Sequence, residues 1–235
     1  DGIIRGIKNR DGWNKNWHME MHKKIIENQF SKQEKIQISS NFKMPLTFEN
    51  KIKSINNSFQ PAGETNAWKY LKSFLDKRVS GYAFDISKPL KSRNSCSRLS
   101  PYISWGNLNI RIVYQHLLEH EKKRKNLRSI NAVLSRLHWH CHFIQKFEVD
   151  CTYENENINK GFDTLSRKKN DKFIEAWENG MTGYPLIDAN IRAVKQTGWI
   201  NFRMRAMIVS FFVHNLDQDW KNGAYFLARQ FLDYE

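Results

Sequence analysis

Apolar residues recur along this chain every three to four positions, and no convincing stretch alternates. Ala67, Leu71, Phe74, Leu75 and Val79 fall on one helical face, as do Ile110, Val113, Leu117 and Leu118, and then Val133, Leu134, Leu137, Cys141 and Ile144. A half-buried strand would instead place apolar side chains at every second position. The sequence therefore predicts an all-α fold.

Punctuation residues divide the pattern. Residues 1–60 are polar, basic and rich in Asn, Lys and Ser, with short apolar groups such as Trp13/Trp17 and Ile25/Ile26. They read as a wrapping segment with a few short helices. The character changes at Pro61. A helix follows Gly63-Glu-Thr-Asn66 and is expected to stop at Gly81, before a loop containing Pro89. Asn107 precedes the next helix, which ends in the solvated basic run Glu121–Lys125. The helix from Ile130 to Phe147 comes next, then Asp171–Trp177, stopped near Gly180. Leu186–Thr197 is expected to be capped by Gly198. Phe202–Asn215, nearly continuous in apolar residues, reads as a buried central helix carrying Arg203 and Arg205. Trp220–Leu232 is the last helix.

The 235 residues carry 38 Lys and Arg against 24 Asp and Glu, a formal charge of +14. Such a field attracts polyanions, with nucleic acid the first partner to consider. Cys96, Cys141 and Cys151 form no CxxC pair, which argues against a disulfide framework or a structural zinc site and for a reducing, cytoplasmic setting. No apolar run reaches the ~18 residues of a membrane span. There is no initiator Met and no signal peptide, and the last helix simply runs out, so the chain reads as part of something longer.

Several segments carry candidate chemistry. Cys96-Ser-Arg-Leu-Ser100 lies just before a helix, where hydroxyls and successive N–H groups can form an anion-binding concavity or an ordinary cap. Arg203 and Arg205, two apart, point differently from one helix. Asp188, Asp233 and Glu235 are the nearby carboxylates; they suit acid–base work, a partnership with Arg205, or acceptance of ligand N–H groups. In His138-Trp-His-Cys-His142 only His138 and His142 share a helical face, so the cluster reads as histidines without metal. Walker, GxGxxG and GxSxG patterns are absent.

Four blocks, in order, resemble the flavin-binding domain of the cryptochrome/DNA photolyase family. They are Ser97-Arg-Leu-Ser-Pro-Tyr-Ile-Ser-Trp-Gly106, Ala176-Trp-Glu-Asn-Gly-Met-Thr-Gly-Tyr-Pro-Leu-Ile-Asp188, Thr197-Gly-Trp-Ile-Asn-Phe-Arg-Met-Arg205, and Asp219-Trp-Lys-Asn-Gly223 with Leu232-Asp-Tyr-Glu235. The resemblance covers roughly residues 60–235. It implies a helical FAD-binding domain over 61–235, incomplete at its C-terminus, with residues 1–60 the connector that follows an antenna domain. It implies that Tyr82, Cys96, Ser97, Arg98, Leu99 and Ser100 cradle the FAD. Arg205 and Asp233 would form the ion pair beside the flavin ring, with Phe202, Tyr234 and Glu235 close by. Trp220 would be the middle member of an electron relay.

The resemblance also implies a substrate side made of Arg136, Trp139, His140, Asn201, Phe202 and Ala206. Trp139 matches the Trp that stacks on an extruded pyrimidine dimer. The other positions depart from repair enzymes of the family. Arg136 stands for a Glu, His140 for an Arg, Asn201-Phe202 for His-Asn, and Ala206 for a Met. Cys96 stands for a usual Thr, Glu235 for an Asp, and Arg167 for the outer relay Trp. The leading reading is light-driven, electron-transfer repair of pyrimidine dimers in single- or double-stranded DNA by a photo-lyase-type enzyme. The alternatives are a blue-light receptor without repair activity and an inactive fragment.

Overall fold

The computed structural model describes residues 2–26, 43–54, 58–123 and 125–235, and every regular element among them is helical. The helices gather around two apolar cores.

The first core begins with α1 (Trp13–His22), which buries Trp13, Trp17 and Met21 at helical four-residue spacing. Trp17 meets Tyr114 edge-on at 5.4 Å, and Trp13 donates its Nε1–H to the Gly2 carbonyl at 3.1 Å. The residues before 61 thus contribute large rings to the core. They also form α2 (Leu46–Lys53), which buries none of its side chains. The basic segment expected to close the second helix includes Arg124, which lies outside the described residues, as do 27–42 and 55–57.

The helix expected to stop at Gly81 does not stop there. α3 (Glu64–Ser73) passes through a wide turn at Phe74–Arg78 and continues as α4 (Val79–Asp85). Gly81 lies inside α4 because of packing. A Cβ there would sit 3.4 Å from the Ser95 Cβ and 3.3 Å from Asp85 Oδ2, so the glycine lets α5 (Ser92–Ser95) approach. The short α6 (Ser100–Ser104) follows. α7 (Ile110–Lys122) is capped by Asn109, whose side-chain Oδ1 accepts from the Arg111 N–H at 2.8 Å. α8 (Leu127–Val149) is the longest helix and buries Ile130, Val133, Leu137 and Cys141 against α4 and α7.

The second core is built by α9 (Asp171–Glu178), α10 (Pro185–Thr197), α11 (Phe202–Ser210) and α12 (Trp220–Gln230). Trp177 is its largest fully buried residue, and its Nε1–H reaches the Ile208 carbonyl. α11 is not the uniformly buried helix its composition predicts. Met204 and Ile208 face the core, whereas Phe202 and Val209 on other faces are exposed. After Ser210 the helix widens into a π turn, Phe211–Asn215, that returns Phe211 and Phe212 to the core. Among the described residues no helix is long and apolar enough to cross a membrane.

The cores meet at the link between α10 and α11. Gly198 ends α10 in the left-handed region, φ 65°, as its sequence position predicts. Trp199 then enters the first core and Ile200 the second. Leu232 closes over the turn, its N–H donating to the Gly198 carbonyl at 3.0 Å. A Cβ on Gly198 would lie 2.4 Å from Leu232 Cγ. Gly198→Ala combines backbone strain with this clash and is expected to cost about 1–3 kcal/mol. A lowered urea midpoint without a change in slope is the expected readout.

Candidate cofactor site

Where the cores meet, the structure leaves a cavity of about 270 Å³, close to the lower end of the ~300–1,000 Å³ typical of ligand sites. α4 supplies Tyr82, the loop before α6 supplies residues 96–100, and α8 supplies Arg136, Leu137, Trp139, His140 and Phe143. The interface link and α11 add Trp199, Ile200, Asn201, Phe202 and Arg205, and Asp233 closes the wall after α12. Residues far apart in sequence, and largely apolar, thus converge with a few ionisable groups.

Two of those groups have unused bonding capacity. Arg205 donates Nε–H to the Ile200 carbonyl at 3.1 Å and Nη2–H to Asp233 Oδ2 at 2.8 Å, and its guanidinium lies 4.0 Å from the centre of the Phe231 ring. The Asp233 side chain is only 4% exposed, yet its Oδ1 has no hydrogen-bond partner among the described residues. Arg98 stacks on Trp199 with 4.2 Å between guanidinium and ring centre, and its Nε–H is likewise buried and unpartnered. Buried polar atoms are rarely left so. A ligand offering an N–H to Asp233 and an acceptor to Arg98 would satisfy both. Removing one member of the Arg205–Asp233 pair would strand a buried charge, at a cost of about 3–5 kcal/mol.

Burial shapes the remaining groups. It lowers the Arg98 pKa to about 10, with the Arg93 charge adding to the effect. It raises the Cys96 thiol to about 11, so this sulfur is protonated at neutral pH and is no nucleophile. Tyr82 is pushed up as well. His140 goes the other way: burial lowers its pKa, but hydrogen bonds to Cys141 and Glu235 and the Glu235 charge outweigh this and bring it to about 9. Its Nε2 lies 2.5 Å from Glu235 Oε2. The cavity thus holds four cationic side chains, Arg98, Arg136, His140 and Arg205, against the carboxylate of Asp233.

Most of the expected site residues come together here. Tyr82, Cys96, Ser97, Arg98, Leu99, Ser100, Phe202, Arg205 and Asp233 line the cavity, as do Arg136, Trp139, His140 and Asn201. The Asn201 side chain, however, is already engaged. Its Oδ1 caps α11 at the Met204 N–H and its Nδ2–H donates to Ser92 Oγ at 2.9 Å. Tyr234, Glu235, Ala206 and Trp220 do not line the cavity. Tyr234 lies in a groove with Trp105, and Glu235 acts only through His140. Ala206 is on the exposed side of α11. Trp220 donates to Asn157 Oδ1 at 2.9 Å in a separate cleft shared with Arg167. Arg167 is occupied there by the Val213 and Gln218 carbonyls, both at 2.8 Å. Asp188 holds a turn: Oδ1 accepts from the Thr182 N–H and hydroxyl, and Oδ2 from the Gly183 N–H. Phe143 was legible four residues after Trp139 on the same helical face, whereas Trp199 as the partner of Arg98 carried no local signal.

Residues 133–235 match the family model described as the FAD binding domain of DNA photolyase. A deoxyribodipyrimidine photo-lyase of Alkalihalophilus pseudofirmus is 32% identical over 80% of this chain and 38% of its own length. The chain belongs to the cryptochrome/DNA photolyase family. A cryptochrome DASH of Ostreococcus tauri is 30% identical over 74% of this chain and 32% of its own. A crystal structure of a bacterial class III photolyase from Agrobacterium tumefaciens superimposes with a TM-score of 0.70 at 26% identity, over 74% of this chain and 35% of that one. The chain therefore spans well under half the length of these relatives. The fold is that of a helical FAD-binding domain of this family, and its cofactor is FAD.

The His140–Glu235 pair gives this site a pH dependence. The folded-state pKa of His140, about 9, lies above the ordinary 6.5. Its stabilisation is complete below pH 6.5 and is lost as the pH rises through about 9. Glu235→Gln is expected to bring the His140 titration, followed by NMR, down toward its ordinary range.

Proposed function

We propose that this domain binds FAD in the inter-core cavity for light-driven repair of pyrimidine dimers in DNA. The observation that carries this reading is the convergence of three parts on one cavity. These are the 96–100 loop, the Arg205–Asp233 pair with its unused Oδ1, and an open aromatic side on α8. Relatives named deoxyribodipyrimidine photo-lyase support it.

Bound FAD supplies light absorption and the electron transferred to the dimer. The protein's part is to hold and bias it. Asp233 Oδ1 would accept a ring N–H, and Arg205, fixed by Ile200, Asp233 and Phe231, would present positive charge that favours an electron-rich ring. Arg98 adds a second cation from the loop side. Trp139 and Phe143, 45% and 51% exposed with rings 5.6 Å apart, offer a stacking surface for an extruded base. Arg136, whose guanidinium lies 5.3 Å from the Phe202 ring centre, contacts a phosphate or a dimer carbonyl. The +14 charge holds the DNA backbone. Three free cysteines suit a cytoplasmic, reducing setting.

A blue-light receptor is the second reading. It is favoured by Arg136 in place of an acid and by the commitment of Asn201 to Ser92 and the α11 cap.

The two readings separate in one assay. The full-length protein, illuminated with blue light, is expected to restore dimer-containing oligonucleotides; flavin absorption without restoration would favour the receptor. Trp139→Ala is expected to weaken binding to irradiated DNA by about 1–3 kcal/mol, with flavin content unchanged. Equal binding by both proteins would remove Trp139 from the DNA surface.

A further inference from the structure

Arg78 lies outside the cavity, on the wide turn between α3 and α4, and is half-buried. Four hydrogen bonds leave its guanidinium. Two return to its own helical segment, Nη2–H to the Tyr70 carbonyl at 2.8 Å and to Ser73 Oγ at 3.0 Å. Two cross to the loop before α6, Nη1–H to the Cys96 carbonyl and Nη2–H to the Ser97 carbonyl at 3.3 Å. No carboxylate pairs with it among the described residues. A partly buried cation held only by neutral acceptors is costly unless a negative charge comes near. Burial accordingly lowers its pKa.

Peptide planarity gives the two loop contacts a consequence. With the Cys96 and Ser97 carbonyls turned toward Arg78, the N–H groups of Ser97 and Arg98 must point away from it. Neither N–H has a hydrogen-bond partner among the described residues, and both residues line the cavity. Arg98 then adopts the left-handed conformation, φ 60°, followed by Leu99 in the right-handed one. Successive residues of opposite hand turn their N–H groups to one side, a geometry suited to an anion, and here the Leu99 N–H also donates weakly to Ser97 Oγ at 3.4 Å. The wide turn matters because its extra residue sets where Arg78 emerges from the helix.

We infer that Arg78 is a positioning residue of the cofactor site, which turns the 96–98 peptide planes so that their N–H groups meet the diphosphate of FAD. The inference rests on FAD occupying this cavity. The Arg78 charge behind the loop reinforces the same preference for an anion. Its action is indirect, since the guanidinium reaches no cavity surface.

A comparison of FAD with riboflavin, which has the flavin ring but no diphosphate, tests this in the full-length protein. Affinities follow from quenching of flavin fluorescence for wild type, Arg78→Met and Arg78→Lys. Arg78→Met is expected to bind FAD roughly tenfold to a hundredfold more weakly, with riboflavin affinity within about twofold of wild type. Arg78→Lys, which keeps the charge but loses the fork, is expected to fall between the two. Unchanged FAD affinity in both variants would overturn the inference. So would a proportional loss of FAD and riboflavin, which marks a merely structural role. Wild-type protein that does not distinguish FAD from riboflavin would instead overturn the cofactor reading on which the inference rests.

Discussion

Four residues of backbone, Gly198 to Asn201, join two cores that are otherwise built by separate sets of helices. Trp199 anchors the link in the first core and Ile200 in the second, so the two cannot move apart without exposing a large side chain on one side. Gly198 makes the turn possible, and Leu232 and Asn201 lock its two ends. The cavity lies beside this seam, walled by helices of both groups. Arg98, Asn201 and Arg205 of the site are positioned from that seam.

The seam also explains how so much charge is tolerated near an apolar space. Arg98 lies on Trp199, and Arg205 is bonded to the Ile200 carbonyl and to Asp233. Aromatic faces and carbonyls replace part of the lost hydration, but not all of it. The residue is the unpaired Asp233 Oδ1 and Arg98 Nε. Both residues line the cavity, where a ligand offering an N–H and an acceptor would complete their bonding. Buried polar atoms left in this way are costly to a fold that keeps them without a partner.

Sites that look equivalent in the sequence have separated in space. Trp220 and Arg167 share a cleft remote from the cavity, closed by bonds to Asn157, Val213 and Gln218. Asp188, a carboxylate near two signature blocks, is spent on a turn, and Asn201 on a helix cap. By contrast, His140 and Glu235, 95 residues apart, form one pair.

By itself the sequence determined the class of structure and pointed to the 96–100 loop that lines the cavity. Helical periodicity is a local property, readable from the spacing of Val113, Leu117, Val133, Leu137 and Cys141, and the Gly198 cap follows from the position of the glycine alone. Gly81 was misleading because its effect depends on what packs against it. Gly81 admits α5 from within α4. Only the tertiary structure decided which side chains stand free in the cavity and which are already consumed. Hydrogen bonds such as Asn201 to Ser92 and Arg78 to Cys96 join segments between 18 and 109 residues apart. No local pattern encodes such a pairing, because it depends on where two independently formed helices come to rest.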